Sequence, residues 1–210
     1  STGSMRIPSG PTENRGGRGR GVFGSGGTPT ATNVLDMIEI ATTGDAVDFG
    51  DDIHARQEGY ASFASATRGC FAGGQTPTFL TNIAYVTTSS QGGANDFGDL
   101  QTAQTRNVGL SDSTRGISAG GGDPVQTAGI EFVTISTTGD ANNFGNLTQA
   151  RAGAGACASP TRGLIGGGNP NTNIIDYITI QTGGSAEDFG DLTDDPNHLA
   201  GCSNSIRGLF

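Results

Sequence analysis

The feature that most constrains this chain is a short motif that occurs four times at nearly equal spacing. The motif reads Asp-Phe-Gly-Asp in three copies and Asn-Phe-Gly-Asn in the other, and its phenylalanines, 48, 47 and 45 residues apart, are Phe49, Phe97, Phe144 and Phe189. An Arg-Gly pair recurs with the same period, at Arg20, Arg68, Arg115, Arg162 and Arg207. Self-similarity at this period predicts a repeat architecture in which each unit buries its apolar face against its neighbours.

Each unit contains four short segments that are typical of β-strands. The clearest is rich in β-branched and aromatic residues and occurs at 35–40, 83–88, 130–135 and 175–180. A second apolar run follows each Arg-Gly pair and ends in glycines, the motif phenylalanine lies in a third, and a fourth leads to the next arginine. Four short strands in a unit of about 47 residues predict one blade of a β-propeller.

The repeat also predicts the domain organisation. We expect residues 1–19 to be a tag remnant followed by a flexible Gly/Arg-rich lead-in, and residues 20–210 to form a single β-propeller domain. The blades are expected at about 20–67, 68–114, 115–161 and 162–210. The ring either closes within the chain as four blades, with the last strand completing the first blade, or forms half of an eight-bladed ring shared by two chains. Because Arg207 begins another unit, a cut from a longer array is a third interpretation.

Charge and hydropathy exclude some classes of partner. All 11 basic residues are arginines, and the five in Arg-Gly pairs are predicted to tie one blade to the next through their planar donor groups. A formal net charge of −9 disfavours binding to nucleic acid, so we interpret the RGG-like stretch at 15–20 as part of the lead-in. No apolar run approaches the length of a membrane span, and no secretory signal is recognisable.

Few residues offer catalytic or metal-binding chemistry. Cys70, Cys157 and Cys202 replace larger apolar residues at equivalent positions, so they are predicted to be buried free thiols. His54 and His198 lie in loops without a neighbouring catalytic partner. The acidic turns could hold Ca²⁺ or form hydrogen-bonded Asx turns, and we expect the second and no cofactor. Those turns carry Asp45, Asp48, Asp51, Asp188 and Asp191.

The repeat resembles the kelch family. A kelch unit has an apolar strand that ends in Gly-Gly, an aromatic residue on the next strand, a second aromatic residue, usually Trp, and then a loop. In the last unit, residues 164–168, Tyr177, Phe189 and the loop after Leu192 follow this order. The family's loop arginine is matched by Arg56 and Arg151, whereas Gln104 and Pro196 occupy its position in the other units, and the chain has no Trp. The resemblance implies a propeller of four-stranded blades.

The amino-acid sequence of the repeat, Thr-Thr-Gly-Asp-Ala with Asp-Phe-Gly-Asp-Leu, is also similar to that of repeat proteins encoded by bacteriophages, notably marine and cyanobacterial ones. That similarity implies a virion- or tail-associated or extracellular protein. We therefore expect a non-enzymatic structural or binding module whose partners are virion or surface proteins or host glycans, and which also forms homo-oligomers.

The loops differ between units while the strands do not, and loops on a rigid scaffold are where binding usually occurs. Tyr60 and His198 are expected to be exposed and to stack on a sugar. The other expected contact residues are Gln57, Gln104, Arg106 and Asn197. The alternative is a sugar-active enzyme like galactose oxidase, which kelch proteins resemble in fold. Its copper site needs histidine ligands and a Tyr–Cys cross-link, which two loop histidines and three core cysteines do not readily provide.

Overall fold

The computed structural model describes residues 19–27, 30–122, 125–204 and 206–210, and this part of the chain is all-β without a helix. Sheet 1 contains β1 (Arg20–Gly27), β2 (Ala31–Glu39) and β3 (Val47–Arg56). Sheet 2 contains β4 (Ala61–Ala64), β5 (Arg68–Ala72), β8 (Asn82–Thr87) and β9 (Asn95–Asp99), with the small hairpin of β6 (Gln75–Thr76) and β7 (Thr78–Phe79) inserted after β5.

Sheet 3 contains β10 (Val108–Ser111), β11 (Arg115–Ala119), β12 (Gly129–Thr134) and β13 (Asn142–Asn146). Sheet 4 contains β14 (Gly155–Ala158), β15 (Arg162–Gly166), β16 (Ile174–Thr179) and β17 (Glu187–Asp191). The C-terminal hairpin contains β18 (Cys202–Ser203) and β19 (Gly208–Leu209). Every sheet is an antiparallel meander with its strands in chain order, which is the arrangement of a propeller blade.

The hydrophobic core lies in layers between consecutive sheets. Sheets 1 and 2 enclose the side chains of Leu35, Phe49 and Phe71, and the same kind of layer separates sheets 2 and 3 and sheets 3 and 4. The first strands of neighbouring units, β4, β10, β14 and β18, lie next to one another. A cavity of about 720 Å³ opens beside these strands. The predicted propeller-like stacking of β-sheet units is therefore confirmed.

The glycine of each of the first three motifs lets adjacent sheets approach at backbone distance. A Cβ atom at Gly98 would lie 2.5 Å from the Gly139 carbonyl group, and one at Gly145 would lie 2.5 Å from that of Gly184. Both motif glycines also have strongly positive φ angles, 144° and 154°, which L-residues rarely adopt. The invariant Gly of the motif thus reflects both the close packing and the backbone conformation.

The sheets do not close into a ring, and this corrects the expected closure within one chain. The last strand, β18, was expected to complete the first blade, but it pairs with β19 instead. In the described part of the chain, no strand pairs with the free edge of β1. Residues 1–18 of the expected lead-in lie outside the described residues. Over the described residues, the structure contains no helix long and apolar enough to cross a membrane.

Candidate functional site: the loop face

Four equivalent loop residues share an unusual backbone conformation. Each lies nine residues after its motif phenylalanine, in the loop that connects the last strand of one unit to the first strand of the next. Their φ angles are 67° at Glu58, 55° at Arg106, 65° at Gly153 and 61° at His198. Three of the four are not glycine, and left-handed conformations at such residues persist only where the surroundings enforce them. We call the surface formed by these four loops the loop face.

Backbone hydrogen bonds join the four loops in series. The N–H of Arg106 donates to the Gly59 carbonyl at 2.9 Å, and the N–H of Gly153 donates to the Arg106 carbonyl at 2.8 Å. The N–H of Leu199 then donates to the Gly153 carbonyl at 3.1 Å. The loop face is therefore a continuous hydrogen-bonded surface, and its side chains project from a shared backbone framework.

The loop face borders a cavity of about 630 Å³. Arg106 and Glu58, which both line it, form an ion pair with 2.8 Å between Nη2 and Oε2, and both side chains remain partly open to solvent. His198 lines the same cavity and is exposed. Three of the predicted contact residues, Tyr60, Arg106 and His198, thus come together at one cavity. Sequence reasoning missed Glu58, although its loop position is the same as that of Arg106.

The other predicted contact residues are placed differently. Gln104 is only 4% exposed, and its side-chain amide donates to the Thr102 hydroxyl at 2.9 Å, so its side chain is not a surface contact as predicted. Gln57 is half-buried and exchanges two backbone hydrogen bonds with Gln75, while Asn197 is exposed beside His198 without lining the cavity.

Tyr60 is half-buried, which corrects its expected exposure. Its hydroxyl donates to the carbonyl of Gly24 in sheet 1, and its ring meets the edge of Phe71 at 6.0 Å between centroids. Burial raises the pKa of this phenol, and the charge of Asp52 adds to the shift. Tyr60 therefore anchors its loop to the neighbouring sheets, which leaves only part of the ring at the cavity.

Two fully buried arginines lie beneath the loops. Arg56 pairs with Asp52 at 2.7 Å and also donates to the Gly73 carbonyl and to the Asn82 side chain in sheet 2. Arg151 pairs at 2.9 Å with Asp176 in sheet 4. Both arginines lie seven residues after the motif phenylalanine, at the kelch-like loop position. Their carboxylate partners were not anticipated, because one lies in the same unit and the other in the next unit.

The junction between sheets 2 and 3 lacks this ion pair. Gln104 replaces the arginine there, yet Glu131, at the position equivalent to Asp176, is still buried. Desolvation raises the pKa of Glu131, against the opposing effect of hydrogen bonds from Gln101 and Thr102. A carboxylate is therefore buried at this junction without the cationic partner that its equivalent has in sheet 4.

Three of the Arg-Gly arginines, Arg20, Arg68 and Arg115, contact both their own sheet and the next one, whereas Arg162 is exposed and lies over the Tyr177 ring of its own sheet. The guanidinium of Arg68 lies 4.4 Å from the centre of the Tyr85 ring, and its Nη1 donates to the Ile135 carbonyl of sheet 3 at 2.9 Å. Arg20 donates in the same way to the Thr88 carbonyl of sheet 2, at 3.1 Å. Arg207, in the C-terminal hairpin, is exposed.

Among the described residues, no group of three His, Cys, Asp or Glu side chains is placed to hold a metal ion. Asp48 and Asp188 accept hydrogen bonds from the N–H groups of Gly50 and Gly190, which is the Asx-turn geometry. Cys70 and Cys157 are buried as predicted. Cys202 is exposed, because the hairpin that carries it has only two strands to cover it.

No protein-family model matches this chain, and no curated protein is significantly similar to it.

Proposed function

We propose that the chain is a non-enzymatic binding module built as a kelch-like β-propeller unit of four blades, one half of an eight-bladed ring. We expect it on a bacteriophage particle or an extracellular surface, because the sequence of the repeat resembles that of bacteriophage repeat proteins. Its partners are glycans of a host surface or other virion proteins. Nucleic acid is not among them, because the net charge of −9 opposes phosphate binding.

The observation that carries this proposal is the loop face. The four loops share one backbone conformation and one series of hydrogen bonds, but the side chains at the shared position are Glu58, Arg106, Gly153 and His198. A constant framework with different side chains is what a recognition surface on a repeat scaffold requires. Nothing in the packing of the sheets requires these side chains to differ, since they lie outside the core layers.

The chemistry of the loop face favours a neutral, hydroxyl-rich ligand. Glu58 offers acceptors, Arg106 offers a fork of donors, and the His198 ring offers both a hydrogen bond and a flat surface. Because Glu58 and Arg106 already neutralise each other, a strongly charged ligand would gain little from either. The cavity of about 630 Å³ lies within the usual range for small-ligand sites, about 300–1,000 Å³. A sugar unit of a surface glycan satisfies these conditions.

The test is binding of the folded protein to a glycan array and to host cells. We expect selective binding that is lost in Arg106→Ala and His198→Ala. The control is His54→Ala, which removes the only other histidine, at a site on β3 away from the cavity. Absence of any glycan or cell binding, or equal binding by all three variants, would contradict the proposal.

A further inference from the structure

The three junctions between consecutive sheets repeat the same three hydrogen bonds. Between sheets 3 and 4, Arg115 Nη1 donates to the Ile180 carbonyl at 2.8 Å, and the N–H groups of Gly184 and Ala186 donate to the carbonyls of Phe144 and Asn146 at 2.9 and 2.8 Å. The equivalent bonds join sheets 1 and 2 and sheets 2 and 3, each between 2.7 and 3.1 Å long. Every junction is therefore made by a donor side chain and two carbonyls of one sheet, and by a carbonyl and two N–H groups of the next.

The two end sheets carry the two unused halves of this junction. On sheet 4, the tail face carries Arg162, Phe189 and Asp191 at the positions of Arg115, Phe144 and Asn146. On sheet 1, the head face carries Ile40, Gly44 and Ala46 at the positions of Ile180, Gly184 and Ala186. The head-face residues lie nine, five and three residues before the motif phenylalanine in each unit. The tail-face residues are the arginine of the Arg-Gly pair, the motif phenylalanine and the residue two positions after it.

Exposure separates these end residues from their equivalents inside the stack. Ile40 is 68% exposed, whereas the equivalent Ile180 is fully buried. Phe189 is 51% exposed, whereas Phe144 is buried. A Cβ atom at Gly190 would meet nothing within 4 Å, whereas one at Gly50, Gly98 or Gly145, the same position inside the stack, would meet the backbone of the next sheet. Large apolar side chains left exposed in this way mark a surface that another molecule covers.

We propose that the tail face of one copy docks on the head face of a second copy of this chain, with the geometry of the internal junctions. Arg162 would then donate to the Ile40 carbonyl of the second copy. The N–H groups of Gly44 and Ala46 would donate to the carbonyls of Phe189 and Asp191. Because one chain carries both halves, a second copy is the occupant that fits, and the contact is head-to-tail. This inference rests on the propeller-unit part of the proposed function.

The C-terminal hairpin of β18 and β19 shows how β18 would pair with a strand of the second copy at this interface. Cys202 lies opposite Leu209 and Ser203 opposite Gly208, the register that Cys157 and Ala158 have with Leu164 and Gly163 in sheet 4. The Arg-Gly-Leu-Phe segment of β19 is similar to Arg-Gly-Val-Phe at the start of β1. In the isolated chain β19 pairs with β18. In the proposed complex, β1 of the second copy replaces β19 on β18, which places Val22 of that copy opposite Cys202. With only two paired residues, β19 is readily displaced.

The test measures mass by sedimentation over a range of protein concentrations. We expect wild type to reach at least twice the chain mass, and Ile40→Asp and Phe189→Asp each to remain monomeric. The control is Val125→Asp, which makes the same change at an apolar residue that is 76% exposed and lies between β11 and β12 of sheet 3, outside the head and tail faces. Circular dichroism melts verify that each variant is folded.

Two further arms make the test decisive. A mixture of Ile40→Asp and Phe189→Asp should form a one-to-one complex, because each variant keeps the half that the other lacks. Deletion of residues 206–210 should strengthen association, because it removes the competing strand. Monomeric wild type at every concentration, an unaffected Ile40→Asp variant, or a mixture that stays monomeric would overturn the inference. Glycan binding that persists in Arg106→Ala and His198→Ala, with association as expected, would contradict only the loop-face proposal.

Discussion

Arg115 of sheet 3 donates a hydrogen bond of 2.8 Å to the main-chain carbonyl of Ile180 in sheet 4, 65 residues further along the chain. The same guanidinium lies 4.3 Å from the centre of the Phe132 ring. A single side chain thus joins two sheets and also covers an aromatic ring of its own sheet. The position recurs at the other junctions, so one small set of contacts holds the stack together.

Arg115→Ala is expected to lower the free energy of unfolding by about 1–3 kcal/mol, because the carbonyl of the buried residue Ile180 loses its donor. Arg115→Lys should also destabilise, since an ammonium group cannot both stack flat on the ring and reach the carbonyl. Urea denaturation measures both effects. The matched control is Arg162→Ala at the exposed end of the stack, where a smaller change is expected at protein concentrations at which the chain is monomeric. Equal losses in the two alanine variants would contradict the interpretation of Arg115 as a junction residue.

Gly98→Ala should be more harmful than Gly190→Ala. The two glycines have nearly the same φ, 144° and 141°, so both substitutions strain the backbone to a similar extent. Only at Gly98 does the new methyl group meet the backbone of the next sheet, at 2.5 Å from Gly139. The additional cost expected at Gly98 is about 1–3 kcal/mol, as for other overpacked sites. Denaturation of the two variants in parallel isolates the packing contribution.

Arg56→Met should destabilise the protein by about 3–5 kcal/mol, because it leaves Asp52 buried without a partner. Adding Asp52→Asn should restore part of this loss by removing the unpaired charge. The restoration is incomplete, because the Gly73 carbonyl and the Asn82 side chain still lose the donor that Arg56 supplied. A double-mutant cycle in urea measures the coupling, and additive effects of the two changes would contradict it.

Glu131→Gln should raise the melting temperature at pH 7. Burial raises the pKa of Glu131, so its ionised form is less favourable in the folded than in the unfolded state. That penalty is present at neutral pH. It disappears as the pH falls through the raised pKa of Glu131 in the folded state towards its ordinary pKa of about 4.3 in the unfolded state. The advantage of the variant should therefore vanish near pH 4. At the equivalent position Asp176→Asn should have the opposite effect, because it breaks the pair with Arg151.

In the native protein, at a protein concentration low enough to keep it monomeric, one of the three thiols should react with a thiol reagent. Cys202 is exposed, whereas Cys70 is buried and its pKa is raised to about 12, mainly by desolvation. Burial also raises the pKa of the Cys157 thiol. Because the thiolate is the reactive form, the last two should react only after unfolding. Cys202→Ser should abolish the native reaction, and rapid labelling that persists in this variant would show that a buried thiol is accessible.

The candidate site was only partly predictable from the sequence. Tyr60, Arg106 and His198 line one cavity, and their loop positions follow from the repeat. The burial of Gln104 could not be foreseen, because the loop composition around it is polar and its neighbours come from sheets 2 and 3. Glu58 was missed for a different reason: its shared left-handed conformation is visible only once the four loops are aligned in space.

Much of the architecture was determined by the sequence alone. The recurrence of Phe49, Arg20 and their equivalents established the unit, its four strands and the face on which sheets stack, because strand patterning and glycine positions are local properties. Only the tertiary structure decided which carboxylate pairs with Arg56 or Arg151, and whether β18 closes on β1 or on β19. Each outcome is a choice between equivalent groups, a carboxylate of the same unit or of the next one, and β1 or β19 as the partner of β18. Sequence similarity cannot distinguish such equivalents, because the choice depends on which of them the fold brings within reach.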